Sequence, residues 1–488
     1  MSLGGANGFW EVLVGVDQEI GESAPVSKPT DLTIESARLY FLDVKTRMPY
    51  KFGQQVMEAI TCARAAVTVR TAAGEIAEGW GETPLSVGWV WPTEALGYTE
   101  REDRLKAFCC RLAREFAGFT ASGHPLEVGH AFQQQVLPAL LESEAAEHPD
   151  EEPMPYLAGL GCLSAFDLAM YDAYGIANQI GVFESFNGDY LNSDLGDYLE
   201  PDDDGVDFSG KFPEEFFVAR PDSVPVWHSV GGTDPLEEAD LTGDEPDDGY
   251  PVLLRDWIRR DGLNCLKIKL PGADAEWDYQ RLLAIGKIAH EEGVDHLCTD
   301  FNCTVDDPAY VNEILDRLKA EDPESFRRIL YVEQPFPYDL EANQIDVHAV
   351  SERCTLMMDE SAHDWKYVRL GRKLGWTGVA LKTCKTLTGA VLTLCWSRAH
   401  GMDLMVQDLT NPMLAQVPHV SLAAYAGTMM GLESNAMQYY PEASLPEAEV
   451  HPGLYTRRGG VLDLSTLGRS GFGYRVDEID RQLPVAAV

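Results

Sequence analysis

The 488-residue sequence predicts an α/β protein built around a parallel (β/α)8-type TIM barrel, with a smaller α+β domain before it. From residue 224 onward, eight short apolar runs alternate with helical patterns, which is the rhythm of a βα barrel. Before that point, strand-like runs fill residues 32–82 and helical periodicity fills residues 94–145, so the two element types occupy separate blocks. A doubly wound open sheet is the alternative for the second part. No GxGxxG or Walker loop follows any run, which disfavours nucleotide binding.

The predicted strands are short and bounded by helical or turn-forming segments. In the first block they are Leu32–Val44, Ala65–Thr71 and Ile76–Glu82, and Gly159–Tyr174 is a strongly apolar, buried helix. The eight barrel strands are Val224–Val230, Cys265–Lys269, Asp295–Thr299, Ile329–Glu333, Thr355–Asp359, Gly378–Lys382, Asp403–Gln407 and Ala436–Tyr439.

The composition excludes several classes of protein. Lys and Arg total 38 against 79 Asp and Glu, a formal charge of −41, whereas nucleic acids and anionic lipids require a surplus of basic residues. No apolar run reaches the roughly 18 residues of a membrane span, and the N-terminus lacks the pattern of a secretory signal. The ten cysteines form no CxxC pair. We therefore expect reduced cysteines and a cytoplasmic location, with no nucleic-acid or membrane partner.

The active site of a βα barrel lies at the carboxyl ends of its strands, and here those ends carry basic and acidic residues in turn. They are Lys267 and Lys269, then Asp300, Glu333 and Asp359, then Lys382. Three carboxylates at one rim would repel one another unless a cation neutralised them. Oxygen ligands on separate strands suit a hard divalent ion, so we expect Mg²⁺, with Mn²⁺ as the alternative. The competing interpretation is that these acids cap the following helices.

Two of the lysines share one face of a strand. Lys267 and Lys269 are two residues apart, so the apolar residues between and beside them take the opposite face. If that apolar face packs against the outer helices, both lysines point into the barrel mouth. Burial and mutual repulsion would then lower their pKa values, so that they could act as bases. Lys382 lies on the far side of an eight-stranded ring. A lysine on either side of a substrate is what inversion at a carbon next to a carboxylate requires.

The motifs, taken together, resemble those of the enolase superfamily, and most closely its lysine-based muconate-lactonising subgroup (mandelate racemase/muconate lactonizing enzyme-like). The resemblance is carried by K-x-K at 267, D-x-N at 300, E-Q-P at 333, D-E-S at 359 and a lysine at 382. It extends to residues 32–82, which include 48–53, to the helix at 159–175, to the strand at 224–230 and to the tail at 459–473. It thus covers roughly residues 30–480.

The resemblance implies a role for each strand-end residue. Asp300, Glu333 and Asp359 would bind Mg²⁺, and Lys269 and Lys382 would form an acid/base pair. Lys267 would help to neutralise the substrate carboxylate and lower the pKa of Lys269. The family chemistry is abstraction of a proton α to a carboxylate, with the metal stabilising an enediolate.

The resemblance also suggests which residues surround the substrate and the metal. Tyr50, Lys51, Trp89, Asn302, Gln407 and Asp408 are the predicted substrate contacts, and Glu360 and Gln334 would support the metal ligands. Trp89 and its neighbour Trp91 could instead pack within the first domain. The mandelate racemase subgroup has a histidine on its seventh strand, where this sequence has Gln407-Asp408. The eighth strand, predicted to end near residues 438–442, lacks the acidic motif of dipeptide epimerases.

The predicted domain organisation follows from the resemblance. Residues 1–30 would be loosely ordered, residues 31–155 would form an α+β capping domain and residues 156–445 the barrel. Residues 446–488 would return to complete the cap. Acidic insertions interrupt the barrel segment near 187–223 and 234–250.

The predicted function is Mg-dependent racemisation, epimerisation or cycloisomerisation of a small carboxylic acid. Dehydration of a hydroxy acid or an acid sugar by syn-elimination is a second prediction, and a non-catalytic barrel is the third. A small carboxylate is the expected partner, in a homo-oligomeric enzyme.

Overall fold

The computed structural model describes residues 27–488, so most of the predicted loose segment 1–30 lies outside the described residues. The strands are β1 Leu32–Phe52, β2 Gln55–Thr71, β3 Ile76–Pro84, β4 Ser223–Val230, β5 Cys265–Lys269, β6 His296–Asp300, β7 Ile329–Glu333, β8 Thr355–Met358, β9 Gly378–Leu381, β10 Asp403–Val406, β11 Leu432–Glu433 and β12 Val461–Asp463. The helices are α1 Val87–Val90, α2 Tyr98–Gly118, α3 Pro125–Gln135, α4 Leu137–Glu147, α5 Tyr156–Ala177, α6 Leu254–Asp261, α7 Ala275–Glu292, α8 Pro308–Glu321, α9 Pro323–Arg328, α10 His348–Ser351, α11 Trp365–Leu374, α12 Leu387–Ala399, α13 Gln416–Ala426, α14 Ala436–Tyr439, α15 Leu445–Val450 and α16 Pro452–Tyr455.

The first domain is an antiparallel sheet in the order β1-β2-β3, covered by helices on one face. Its three strands lie where the sequence placed them, but β1 runs on to Phe52 and β2 begins at Gln55, ten residues before the predicted start at Ala65. The apolar helix α5 packs tightly against β3 because Gly79 and Gly81 lack side chains. A Cβ at Gly79 would meet the backbone of Ala173, and one at Gly81 would meet the backbone of Ala169. This close approach joins the sheet of the cap to the helix that leads into the barrel.

The second domain is a closed barrel of eight parallel strands. Strands β4 to β11 pair in sequence order, and β11 pairs back with β4, so the predicted barrel is confirmed and an open sheet is excluded. Leu266 and Ile268 belong to the large cluster that includes residues of the outer helices. A separate cluster fills the barrel interior below the mouth, with the members Trp227, Cys265, Cys298, Tyr331, Met357, Ala380 and Met405. The lysines of β5 therefore point inward, as predicted.

The predicted eighth strand is wrong. Residues Ala436–Tyr439 form α14, and the eighth strand is the two-residue segment Leu432–Glu433 just before it. Leu432 pairs with both Val406 and Val226, which closes the barrel. A short apolar run has no periodicity long enough to separate strand from helix, and a two-residue strand gives still less signal. The correction brings Glu433 to the rim of the barrel.

The two acidic insertions fold against basic residues. In the first, Asp202 lies 2.9 Å from Arg372 and 3.2 Å from Lys373, both on α11. In the second, Asp248 forms a two-bonded ion pair with Arg47 of β1. Part of the large negative charge is thus neutralised where the insertions cover the barrel and the cap.

The C-terminal segment fastens the two domains together. Strand β12 pairs antiparallel with β4, outside the closed barrel. Farther on, the backbone N–H of Phe472 donates to Asp172 Oδ1 at 2.8 Å, and that of Trp80 donates to Asp172 Oδ2 at 3.0 Å. Ala487 N–H donates to the Leu39 carbonyl at 2.7 Å, beside β1. The tail thus contacts both α5 and the first sheet.

All ten cysteines lie within the described residues and are free. None of the helices between residues 27 and 488 is both long and apolar enough to cross a membrane.

Candidate active site

A small cavity lies where the cap covers the carboxyl ends of the barrel strands, and we call it the central cavity. Its free volume is about 30 Å³. The cap contributes Tyr50, Phe52, Met57, Ser86 and Trp89, and the barrel contributes Lys267, Lys269, Asn302, Lys382, Asp408, Leu409, Thr410, Glu433 and Asn435. A larger cavity of about 790 Å³ lies along β1 beside the tail, but none of the strand-end lysines or acids lines it. The central cavity is therefore the candidate active site.

The two lysines of β5 are buried among carboxylates. Lys267 Nζ donates to Glu333 Oε1 at 2.7 Å and to Glu433 Oε2 at 2.8 Å. Lys269 Nζ donates to Asp300 Oδ2. Burial alone would lower the pKa of each amine, but Glu333 beside Lys267 and Asp300 beside Lys269 raise both pKa values above their usual range. The expected lowering of these pKa values is not present in the described arrangement, because carboxylate attraction outweighs desolvation.

Lys382 approaches the same cavity from β9, four strands away around the barrel. Its Nζ lies 2.8 Å from Asp359 Oδ2 and 4.5 Å from the centroid of the Trp89 ring. Burial lowers the pKa of Lys382 and Asp359 raises it, with the net direction upward. Lys385, one 3₁₀ turn further on, donates to the carbonyl of Asp359 at 2.5 Å. Burial lowers the pKa of Lys385 below its usual range.

The three predicted metal ligands are brought to neighbouring positions. Asp300 and Glu333 are directly paired across β6 and β7, and Asp359 follows β8. All three are buried, with at most 1% of the residue surface exposed. Lys267 Nζ lies between Asp300 and Glu333, at 3.2 and 2.7 Å. As they stand, no three acidic, histidine or cysteine side chains within residues 27–488 are close enough together to hold a metal ion.

The charges of the cluster nevertheless suit a divalent cation. Six buried carboxyl groups face four buried ammonium groups, so the fully ionised cluster is two positive charges short. The acids are Asp300, Glu333, Asp359, Glu360, Asp408 and Glu433, and the bases are Lys267, Lys269, Lys382 and Lys385. Asp359 Oδ2 accepts no well-aligned hydrogen bond from the described residues, although Lys382 Nζ is only 2.8 Å away. An all-oxygen donor set with this deficit fits Mg²⁺ or Mn²⁺.

The pKa directions of the acids reflect the same shortage of positive charge. Burial and the neighbouring Asp300 raise the pKa of Glu333 well above its usual range. Burial, followed by Asp359, raises the pKa of Glu360 to about 7. Burial opposes ionisation of Asp300 and Asp359 too, but Lys269 and Lys382 respectively hold their pKa values below the usual range.

Gln334 and Glu360 lie behind the acids, where the sequence placed them. Gln334 Oε1 accepts from the backbone N–H of Asp359 at 2.8 Å and from the Ser361 hydroxyl at 2.7 Å. Glu360 Oε1 accepts from Asn302 Nδ2 at 3.1 Å, and Asn302 Oδ1 in turn accepts from Lys269 at 3.3 Å. The turns after β6 and β8 are therefore tied together through side-chain amides.

Gln407 and Asp408, the predicted substrate contacts that follow β10, have different surroundings. Gln407 does not line the central cavity but donates to Glu333 Oε2, so it positions that acid. Asp408 does line the cavity and accepts from the backbone N–H of Asn435 at 2.9 Å. Burial, then the neighbouring Glu433, raises the pKa of Asp408 to about 7.

Glu433 was missed by the sequence analysis because the eighth strand was misplaced. It accepts from Asn435 Nδ2 at 2.6 Å as well as from Lys267. Burial raises the pKa of Glu433, but Lys267, Lys269 and Lys382 together outweigh burial, so the net direction is downward. The sequence signal that could have identified Glu433 is the segment Leu432-Glu433-Ser434-Asn435. In it, an acid stands at the end of the strand that closes the barrel. Lys385 was also missed.

Two of the three predicted substrate contacts in the cap line the central cavity, and the third does not. Tyr50 lines the central cavity, and its hydroxyl lies 2.8 Å from that of Ser229. Trp89 lines the cavity as well, whereas Trp91 is buried in the cap beneath the guanidinium of Arg104. Lys51 lies outside the central cavity and lines a neighbouring one.

Comparison with known proteins finds one family that matches the barrel part of the chain. Residues 251–480 match the family described as enolase C-terminal domain-like. An aromatic dipeptide epimerase of Herpetosiphon aurantiacus is 26% identical over 254 residues, which cover 51% of this chain and 66% of that protein, slightly under two thirds. The L-Ala-D/L-Glu epimerase of Bacillus subtilis has a TM-score of 0.61 at 17% identity, covering 93% of this chain and 99% of that one. A muconate lactonizing enzyme of Pseudomonas fluorescens has a TM-score of 0.56 at 17% identity, covering 90% and 96%.

The capped βα-barrel fold is shared with these two solved enzymes, and in this chain bases and acids stand at the strand ends of that barrel. The match over residues 251–480 bears out the predicted resemblance to the enolase superfamily, and the two solved structures share the fold of this chain.

Proposed function

We propose that the chain is a Mg²⁺-dependent racemase or epimerase that inverts the carbon α to a carboxylate. Lys269 and Lys382 line one cavity from strands that lie opposite each other in the closed barrel, and this relationship carries the proposal. Asp300, Glu333 and Asp359 would hold the metal. When bound, the metal supplies positive charge that stabilises the negative charge developing on the substrate carboxylate.

The two lysines would act on opposite faces of the substrate carbon. Lys269 accepts the α-proton from one face, and Lys382 donates a proton to the other, with the roles reversed for the second stereoisomer. Each lysine must be neutral before it can accept a proton. If Asp300 and Asp359 share their charge with a divalent cation, their attraction for the adjacent ammonium groups weakens. The pKa of each lysine then falls towards the range of a working base.

The substrate would be a dipeptide or another N-acylated amino acid. Glu433 and Asp408 form a group of carboxylate acceptors on the β10–β11 side of the central cavity, where the side-chain amide of Asn435 donates to both. Such a group suits the ammonium or amide N–H at the acyl end of the substrate, while the carboxylate faces the lysines and the metal. The dipeptide epimerases among the similar proteins support this choice.

Exchange with solvent deuterium tests the proposal. The enzyme with Mg²⁺ in D₂O should incorporate one deuterium at the α-carbon of a dipeptide without losing water or acyl group. Lys269→Ala and Lys382→Ala should each reduce conversion by about 10²–10⁴-fold, because each removes a general acid or base. The matched control is Lys287→Ala, since Lys287 lies exposed on α7 with 71% of its side chain accessible.

The readout separates the competing chemistries. Loss of water from a hydroxy acid would indicate a dehydratase. Wild-type rates in both active-site lysine variants would refute the assignment of the bases.

A further inference from the structure

A second cavity lies immediately beside the central cavity, and we call it the outer cavity. Its volume is about 330 Å³. It shares Phe52, Trp89 and Asn302 with the central cavity, so these residues lie between the two. Its other lining residues are Gly53, Gln54, Gln55, Gly88, Pro92, Thr93, Glu94, Cys303, Thr304, Pro337, Tyr338 and Glu360. A group attached to the reacting carbon can therefore enter it past Trp89.

The outer cavity is acidic at its floor and at its rim. Glu360 is 3% exposed, and its Oε2 has no hydrogen-bond partner among residues 27–488. Glu94 lines the cavity from an exposed position on the cap. Within the described chain, no lysine or arginine side chain is part of the lining. A buried carboxylate oxygen without a donor is costly, so this wall suits a ligand that brings a donor or a positive charge.

The aromatic lining fits the same kind of ligand. Trp89 and Tyr338 both line the outer cavity, and aromatic faces attract ammonium and guanidinium groups. A third cavity on the other side of Gly53, about 350 Å³ in volume, has the opposite character. Lys51 and Lys269 line it, together with Asp274 and Trp277. The two outer spaces thus differ in charge, and the outer cavity presents Glu360 Oε2, a buried carboxylate oxygen without a hydrogen-bond partner among the described residues.

We propose that the outer cavity binds the positively charged side chain of the residue that is epimerised, through a hydrogen-bonded ion pair with Glu360. The substrate class is then a dipeptide or N-acylated amino acid with an ammonium or guanidinium side chain next to the free carboxylate. Glu94 draws the charged group in from solvent, and the rings of Trp89 and Tyr338 flank its path. The inference rests on the proposed function.

A pair of substrates that differ in one group tests the inference. We would compare L-Ala-L-Lys with L-Ala-L-norleucine, which keeps the carbon chain but lacks the ammonium group. For the wild type with Mg²⁺, kcat/KM for deuterium incorporation should be at least about ten-fold higher for the lysine substrate, the value of one charge-assisted hydrogen bond. L-Ala-L-Phe and L-Ala-L-Glu complete the set.

Variants of the carboxylates locate the effect. Glu360→Gln keeps the acceptor that Asn302 uses and should reduce the lysine-to-norleucine ratio about ten-fold, and the ratio is read independently of any change in the overall rate. Glu94→Gln should reduce the ratio only a few-fold, because Glu94 is exposed. Glu75→Gln, at the exposed turn between β2 and β3, should leave the ratio unchanged.

The outcomes separate the two proposals. The inference would be overturned if the wild type turned over the norleucine, phenylalanine or glutamate dipeptide as well as the lysine dipeptide or better. An unchanged lysine-to-norleucine ratio in Glu360→Gln would also overturn it. In either case, deuterium exchange itself would still support the proposed function. If no dipeptide exchanged deuterium, the proposed function would fail. Calorimetric binding of the lysine and norleucine dipeptides would then decide the inference, and equal affinities would refute it.

Discussion

The ammonium group of Lys382, at the end of a barrel strand, lies 4.5 Å from the centroid of the Trp89 ring in the cap. The contact joins the two domains at the candidate base. An aromatic face beside an ammonium group stabilises its charged form and excludes water from it. The cap therefore does more than enclose the substrate, because it provides one wall of the environment in which Lys382 would gain and lose its proton.

Replacing Trp89 should weaken catalysis through this contact. Trp89→Leu removes the aromatic face, worth about 1 kcal/mol, and should lower kcat/KM by at least about five-fold. Trp89→Phe keeps a ring and should lose less. Exchange kinetics in D₂O would measure both variants, with circular dichroism as the check on folding. Equal rates in the leucine and phenylalanine variants would show that the ring has no electrostatic role.

Removing one carboxylate charge should weaken the metal site. Asp359→Asn should raise the Kd for Mg²⁺ by about ten-fold or more, since a neutral amide is a poorer ligand for a hard cation. Calorimetric titration of Mg²⁺ without substrate would give the affinity, and chelation of the metal should abolish exchange in the wild type. Asp203→Asn, with 92% of its side chain exposed, is the control. Unchanged affinity in Asp359→Asn would remove Asp359 from the ligand set.

Gly471, where the C-terminal tail contacts α5, should not tolerate a side chain. Gly471 has φ +60, and a Cβ there would overlap Asp172 Oδ1 and lie 3.0 Å from the Asp172 carbonyl oxygen. Gly471→Ala should destabilise the protein by about 2–4 kcal/mol, combining backbone strain with the clash. Gly74→Ala is the matched control, because Gly74 has φ +95 but a Cβ there would meet nothing within 4 Å in the described chain.

Urea denaturation would measure both glycine variants. The control should lose only about 1 kcal/mol, the cost of the backbone conformation alone. Equal losses at the two positions would contradict the packing argument.

Asp172 should make stability depend on pH. Burial raises its pKa from 3.8 to about 7. Below pH 4 the group is protonated in both the folded and the unfolded state. Between pH 4 and 7 the unfolded chain ionises first, so the free energy of unfolding falls as the pH rises, and the loss levels off above pH 7.

Asp172→Asn should make that fall shallower, because asparagine resembles the protonated acid and does not titrate. Urea denaturation of both proteins at intervals from pH 4 to 8 would show the difference. Parallel curves would mean that Asp172 ionises in the folded state as easily as in water.

The residues at the ends of β5 to β9 could be predicted because their positions follow from local pattern. Alternation places Lys267 and Lys269 on one face, and the ends of parallel strands meet at one rim. Glu433 could not be placed in the same way, since its strand is only two residues long and is defined by pairing with Val226 and Val406. Long-range packing also decides which of two neighbouring tryptophans faces Lys382.

The direction of the lysine pKa shifts could not be predicted from the sequence. Burial near like charges was expected to lower the pKa values of Lys267 and Lys269. The direction depends instead on how closely Asp300, Glu333 and Glu433 approach them, and only the three-dimensional arrangement gives those distances.

The fastening of the tail to the cap has a consequence for synthesis on the ribosome. The hydrogen bond from Phe472 to Asp172 joins residues 300 positions apart, and the one from Ala487 to Leu39 spans nearly the whole described chain. The first sheet to emerge must therefore wait for the last segment before its packing is complete. During that interval its apolar surface is open to chaperones and to aggregation, and the delay grows with slower translation.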